Sequence, residues 1–153
     1  MRRRTFLVLM VIGATLVVAS GVAVAVTKMG TNGPDTLRGT TRADYLSGKG
    51  GNDFLVGKGG NDEVRGGPRR DQVSGEGGDD ELHGGPRRDF LLGYAGADVM
   101  HGGEGNDVLI AEWRSERKRD RLYCGKGADE YTADDIDYVS SSCEVEAGWV
   151  IVD

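Results

Sequence analysis

The sequence predicts an all-β fold, a parallel β-solenoid, and three columns of residues with a nine-residue period predict it. Aspartate stands at Asp35, Asp44, Asp53, Asp62, Asp71, Asp80, Asp89, Asp98 and Asp107. Two residues after each comes an aliphatic side chain or methionine: Leu37, Leu46, Leu55, Val64, Val73, Leu82, Leu91, Met100 and Leu109. Five residues before each comes glycine, from Gly30 through Gly39 and Gly48 to Gly102.

Each nonapeptide divides in two. Its first six residues are rich in Gly, Asn and Asp, which take positive φ at low cost and so favour turns. Its last three, as in Phe54-Leu55-Val56 or Val108-Leu109-Ile110, suffice for a minimal strand whose middle side chain points inward. Glycine at this density excludes helix. Turn and three-residue strand in alternation, with coils stacked about 4.8 Å apart, satisfies the period.

One aliphatic side chain per nonapeptide buries too little to offset the ordering of so much chain. The stacked aspartates add repulsion, about 1 kcal/mol per neighbouring pair in water and several times that at lower dielectric. A cation between them removes that repulsion. Carboxylate with backbone carbonyl oxygen is the donor set of calcium.

Gly48-Lys49-Gly50-Gly51-Asn52-Asp53-Phe54-Leu55-Val56 and Gly102-Gly103-Glu104-Gly105-Asn106-Asp107-Val108-Leu109-Ile110 resemble the haemolysin-type (RTX) calcium-binding repeat. That repeat reads Gly-Gly-x-Gly-x-Asp-x-U-x, with U a large aliphatic residue. The resemblance implies a parallel β-roll of nine nonapeptide repeats, two to a coil, with Ca2+ ions between the turns of neighbouring coils. Sixth-position aspartates and turn carbonyls would hold them, pairing Asp35 with Asp53, Asp44 with Asp62, and so on to Asp107, in up to seven slots. The candidate metal residues are therefore the nine aspartates together with the turn glycines Gly51, Gly60, Gly78, Gly96 and Gly105.

The fourth position departs from glycine three times, at Arg42, Arg69 and Arg87. If that position needs positive φ, each arginine costs about 1 kcal/mol. Arg69 and Arg87 fall in adjacent coils on one side, beside the Asp71/Asp89 slot. Their guanidinium groups either replace calcium there or point to solvent. The slots Asp62/Asp80 and Asp80/Asp98 keep glycine throughout. His83 and His101 share the ninth position two repeats apart and should be neighbours on an outer face. They read as surface histidines, the alternative being a transition-metal pair for which the sequence offers no evident third ligand. Phe54, Phe90, Val56 and Leu92 leave apolar side chains facing outward, either scattered or as a contact surface.

The ends of the chain suggest a compartment. Arg2, Arg3 and Arg4 precede an uncharged stretch from Thr5 to Thr27, which reads as a secretory signal, with Ala23-Val24-Ala25 as its cleavage pattern. Residues 1–25 are thus a signal peptide or, if uncleaved, a membrane anchor. Either way the remainder lies outside the cytoplasm, secreted or anchored facing outward. In such a chain the two cysteines, Cys124 and Cys143, should form one disulfide, adding about 3 kcal/mol in the chain-entropy picture. After the roll of residues 26–110, residues 111–153 read as a C-terminal cap. Aspartate resumes thirteen residues on, at Asp120, then Asp129 and Asp137, in degenerate repeats, with Trp113 or Trp149 over the open end.

Charge narrows the partners. Without the three N-terminal arginines, 16 basic side chains face 25 acidic ones, a formal charge of −9. That disfavours nucleic acid and anionic lipid and favours cations. No His-Glu-x-x-His and no Gly-x-Ser-x-Gly occurs, and signal, roll and cap account for all 153 residues, so an enzyme is not expected. The expected function is calcium binding by an exported module whose folding depends on the ion. The alternative is a cell-surface or matrix-interaction protein, such as an adhesin, that uses the roll as a rigid scaffold.

Overall fold

In the computed structural model, residues 24–111 and 118–143 are described below; residues 1–23 of the proposed signal, Trp113 and Trp149 lie outside them. The described residues form thirteen strands and no helix. They run in order as β1 (Thr27–Met29), β2 (Thr36–Arg38), β3 (Tyr45–Ser47), β4 (Phe54–Gly59), β5 (Glu63–Arg65), β6 (Gln72–Gly77) and β7 (Glu81–Pro86). There follow β8 (Phe90–Ala95), β9 (Val99–Glu104), β10 (Val108–Ile110), β11 (Arg121–Lys126), β12 (Glu130–Thr132) and β13 (Tyr138–Val139).

Odd-numbered strands make one sheet and even-numbered strands the other, each in sequence order, so the chain winds through about six coils. Every pairing is parallel, with a register of eighteen residues in the array: Leu55 opposite Val73, Val73 opposite Leu91, Leu91 opposite Leu109. This is the β-solenoid that the nine-residue period demands. The strands of the central coils run to six residues where three were expected. The excess comes from turn backbone that also pairs with the next coil, as Lys58 does with Glu76 and Gly85 with Gly103.

The inward column is the core. Leu46, Leu55, Val64, Val73, Leu82, Leu91, Met100 and Leu109 are buried, joined by Ala111, Leu122 and Cys124. Leu37, in the first coil, is only partly buried. Opposite Leu46 in that coil stands Lys28, whose ammonium donates to the Arg38 carbonyl at 2.6 Å. A charge on the inward column blunts the open end of a parallel stack, where an unpaired edge would otherwise invite another chain.

The excess residues after Ala111 leave the stacking intact. Beta strand β11 pairs with β9 at a spacing of 22, Leu122 opposite Met100, and β12 with β10, Tyr131 opposite Leu109. Cys124 and Cys143 form the expected disulfide, with their Cα atoms 4.8 Å apart.

Candidate metal centre

Turns leading into even-numbered strands carry Asp35, Asp53, Asp71, Asp89, Asp107 and Asp129, here called the even row. Turns leading into odd-numbered strands carry Asp44, Asp62, Asp80, Asp98, Asp120 and Asp137, the odd row. Position six precedes the strand and turns inward, so carboxylates stack where side chains meet no water. Asp71, Asp89 and Asp98 are at most 1% exposed.

One oxygen of each carboxylate has a fixed role. The backbone N–H of the aspartate one coil earlier donates to Oδ1: Asp44 to Asp62 at 2.7 Å, Asp53 to Asp71 at 2.8 Å, Asp62 to Asp80 at 2.7 Å, Asp71 to Asp89 at 2.8 Å. The same bond runs from Asp80 to Asp98 and from Asp89 to Asp107, then across the longer spacing from Asp98 to Asp120 and Asp107 to Asp129. The pairs expected from the repeat are therefore brought together. Asp120 and Asp129, which were not among the candidate ligands, extend both rows. Their own nine-residue spacing was the available signal.

The second oxygen is different. Oδ2 of Asp53, Asp62, Asp71, Asp80, Asp89, Asp107 and Asp129 is buried and accepts no hydrogen bond. A Cβ built on Gly48 would lie 2.3 Å from Asp53 Oδ2 and 2.6 Å from the Gly66 carbonyl oxygen of the next coil. At Gly84 the same atom would meet Asp89 Oδ2 at 2.6 Å and the Gly102 carbonyl at 2.7 Å. A carboxylate oxygen without a donor and a backbone carbonyl oxygen thus converge at a first-position glycine. Buried acceptors without donors are costly, and a hard divalent cation is the partner that satisfies carboxylate and carbonyl oxygen together. The fourth-position glycines of the array sit differently. Gly51 borders Asp53 Oδ1, and the Gly60 and Gly78 carbonyls point at the fourth-position residue of the following coil.

The electrostatics agree. Burial, and then the neighbouring carboxylates, push Asp62 up to about 6, Asp71 and Asp80 to about 7 and Asp89 to about 8, against a lowering by the backbone donor. Asp107 is pushed up to about 6 by the same burial and by Asp129. Without a cation these groups take up protons instead.

Asp35 and Asp44 stand apart from the other candidates. Thr31 donates to Asp35 Oδ2 from its backbone N–H at 2.6 Å and from its hydroxyl at 2.9 Å. The Thr40 backbone N–H does the same for Asp44 Oδ2. The first coil thus serves its own carboxylates, and Arg42 sits in that altered turn without positive φ. The expected strain is absent there. Arg69 and Arg87 do adopt positive φ, 94° and 92°, and both are exposed. Because Oδ2 of Asp71 and of Asp89 still lacks a partner, neither guanidinium fills their slot.

Outside the rows, His83 and His101 stack on an outer face as expected, and burial together with the His83 charge holds His101 below its ordinary value. Of the outward apolar residues, Val56 proves buried, and Phe54 lies under the Arg38 guanidinium at 5.6 Å.

A parallel roll with two internal columns of donor-less carboxylate oxygens defines a class: a structural, cation-binding β-roll. A family model described as RTX calcium-binding nonapeptide repeat (4 copies) matches residues 29–64, 57–86 and 74–109. Together these span residues 29–109, just over half of the 153, and the chain belongs to that family. Its repeats are calcium-binding repeats, and Ca2+ is their ion. No curated protein matches the chain.

Proposed function

We propose that this chain is an exported calcium-binding module whose folding is coupled to the ion. The observation that carries the reading is the column of buried Oδ2 atoms without donors. Asp53, Asp62, Asp71, Asp80, Asp89, Asp98 and Asp107 would hold the ions with backbone carbonyls, the first-position ones nearest, and Asp120 and Asp129 would extend both rows. Calcium supplies the positive charge that lets these carboxylates stay ionised inside the roll. Residues 26–110 then act as the ion-loaded roll and residues 111–153 as its cap, stapled by the disulfide.

Export supplies the switch, because extracellular modules bind calcium at about 0.1–1 mM and the cytosol holds far less. The Val26 backbone N–H donates to Asp44 Oδ1 at 2.6 Å. Cleavage after Ala25 would leave an ammonium at that position, a cation at the head of the odd row. Circular dichroism in chelator and in calcium tests the coupling. The expected outcome is a β spectrum that appears only with the ion; a full β spectrum in excess chelator would overturn it. The mass of the exported protein, expected to begin at Val26, tests the cleavage.

A further inference from the structure

On the outer face of the odd-numbered sheet, β7 and β9 place three metal-ligating side chains together. His83 lies opposite His101 in the parallel register, and Glu81 is two residues before His83 on the same face. Their ligand atoms all lie within 4.8 Å of one another. Glu81 Oε1 is 2.9 Å from His83 Nε2, and the two imidazoles stack with centroids 4.8 Å apart and planes 7° from parallel.

We propose that Glu81, His83 and His101 form a second metal site, taking one divalent first-row transition ion of the zinc type. Two imidazoles and one carboxylate are a zinc donor set, with the fourth position left to water. Imidazole suits zinc, copper and nickel, whereas calcium takes oxygen ligands, so the site is chemically orthogonal to the aspartate rows. The rows are also sterically separate. Asp80 and Asp98 are buried, while Glu81 and the histidines point the other way along the alternating strand.

The surroundings favour the ion. Tyr123 stacks on the far face of His101 at 4.9 Å and 9°, which limits the ring's rotation. Arg65 is the cation on the other side of His83, opposite it in register, and its charge is matched by Glu63 at 2.7 Å. Ligands from successive coils mean that one bound ion ties β7 to β9 from outside, independently of the calcium between their turns.

The test is a zinc titration of the untagged full chain held in saturating calcium, which occupies the competing carboxylates. We expect saturable binding of one zinc per chain, weakened at least about tenfold in His83→Ala, in His101→Ala and in Glu81→Gln. Binding that survives both histidine substitutions, or no saturable binding at one equivalent, overturns the proposal. A variant that fails to fold is bypassed by proton NMR on the wild-type chain, which contains two histidines in all. One equivalent of zinc must shift both imidazole C2–H signals together; movement of one signal alone, or of neither, also overturns it. A full β spectrum in excess chelator would refute the proposed function alone; the one-equivalent zinc response of the two imidazoles decides this proposal in either case.

Discussion

Two turns of the even row solve one steric problem with glycine in a different place from the turns of the odd row. In the interior turns both the second and the fourth residue adopt left-handed backbone. In the odd row the fourth is glycine and the second is not: Lys58 at 90° precedes Gly60, Glu76 at 74° precedes Gly78, and Tyr94 at 71° precedes Gly96. In two even-row turns the order is reversed, with Gly67 at 109° before Arg69 and Gly85 at 124° before Arg87. Glycine goes where the neighbouring coil's carbonyl comes closest. A Cβ on Gly67 would lie 1.9 Å from the Lys49 oxygen, and one on Gly96 would lie 1.9 Å from the Gly78 oxygen. The arginines are therefore half of an alternative turn, not a defect in the repeat. The carboxylate slot behind them is the same in both rows.

If the slots are equivalent, removing a carboxylate from either row should cost the same. Asp80→Ala and Asp71→Ala should each lose about two bound ions by calorimetry, since each carboxylate borders two slots. An unchanged stoichiometry in Asp71→Ala alone would mean that Arg69 and Arg87 stand in for calcium.

Gly96→Ala tests the carbonyl approach, because the new Cβ collides with backbone at a φ of 144°. We expect a loss of about 3 kcal/mol in thermal unfolding with calcium present. Gly77→Ala is the control, its Cβ meeting nothing nearer than 3.7 Å.

Acidity should weaken ion binding in both rows, more gently than these substitutions. Burial raises Asp71 and Asp89 to about 7 and 8 in the ion-free roll, so calcium must displace protons there. Affinity should fall as pH drops from 8 to 6, by up to about tenfold per unit for each proton displaced. Without calcium the sign reverses. Groups raised above the unfolded value of 3.8 stabilise the folded roll most in acid, and that contribution is lost as pH rises toward 8. Calcium titrations at pH 6, 7 and 8 check the first sign, and circular dichroism in chelator across the same range checks the second, any residual β signal being larger at pH 6 than at pH 8.

The smallest effect is the backbone one. Arg87→Gly should stabilise the loaded roll by about 1 kcal/mol, because Arg87 holds φ at 92° in a turn that glycine takes freely. A loss of stability would show that the guanidinium contributes to the slot after all.

The period made the fold, the pairing of aspartates and the inward column legible, because each depends on spacing alone. Asp62 must face Asp80 once two nonapeptides make a coil, and Leu55 must cover Val73. The disulfide followed from there being two cysteines in the chain. What spacing could not carry was backbone conformation. Nothing in Lys58 or Tyr94 as residue types announces a left-handed turn, since that is imposed by the coil beside them. Thr31 and Thr40 read as ordinary turn residues, yet their N–H groups quench the first carboxylates. Lys28 falls on the inward column where the aspartate period has not begun. Glu81 is a different case: it stands two residues before His83 in the same strand, so the alternation and register that make the histidines neighbours also place it beside them, and it was legible though not singled out.

The eighteen-residue register also limits how such a gene can change length. Deleting one nonapeptide would send every later segment to the opposite sheet, moving odd-row turns onto even-row neighbours and uniting glycine arrangements that do not match. Deleting two in succession would shorten the roll by one coil and leave each remaining residue on its own face. Arrays of this kind should therefore drift in length by pairs of repeats, with single-repeat changes tolerated only near an end.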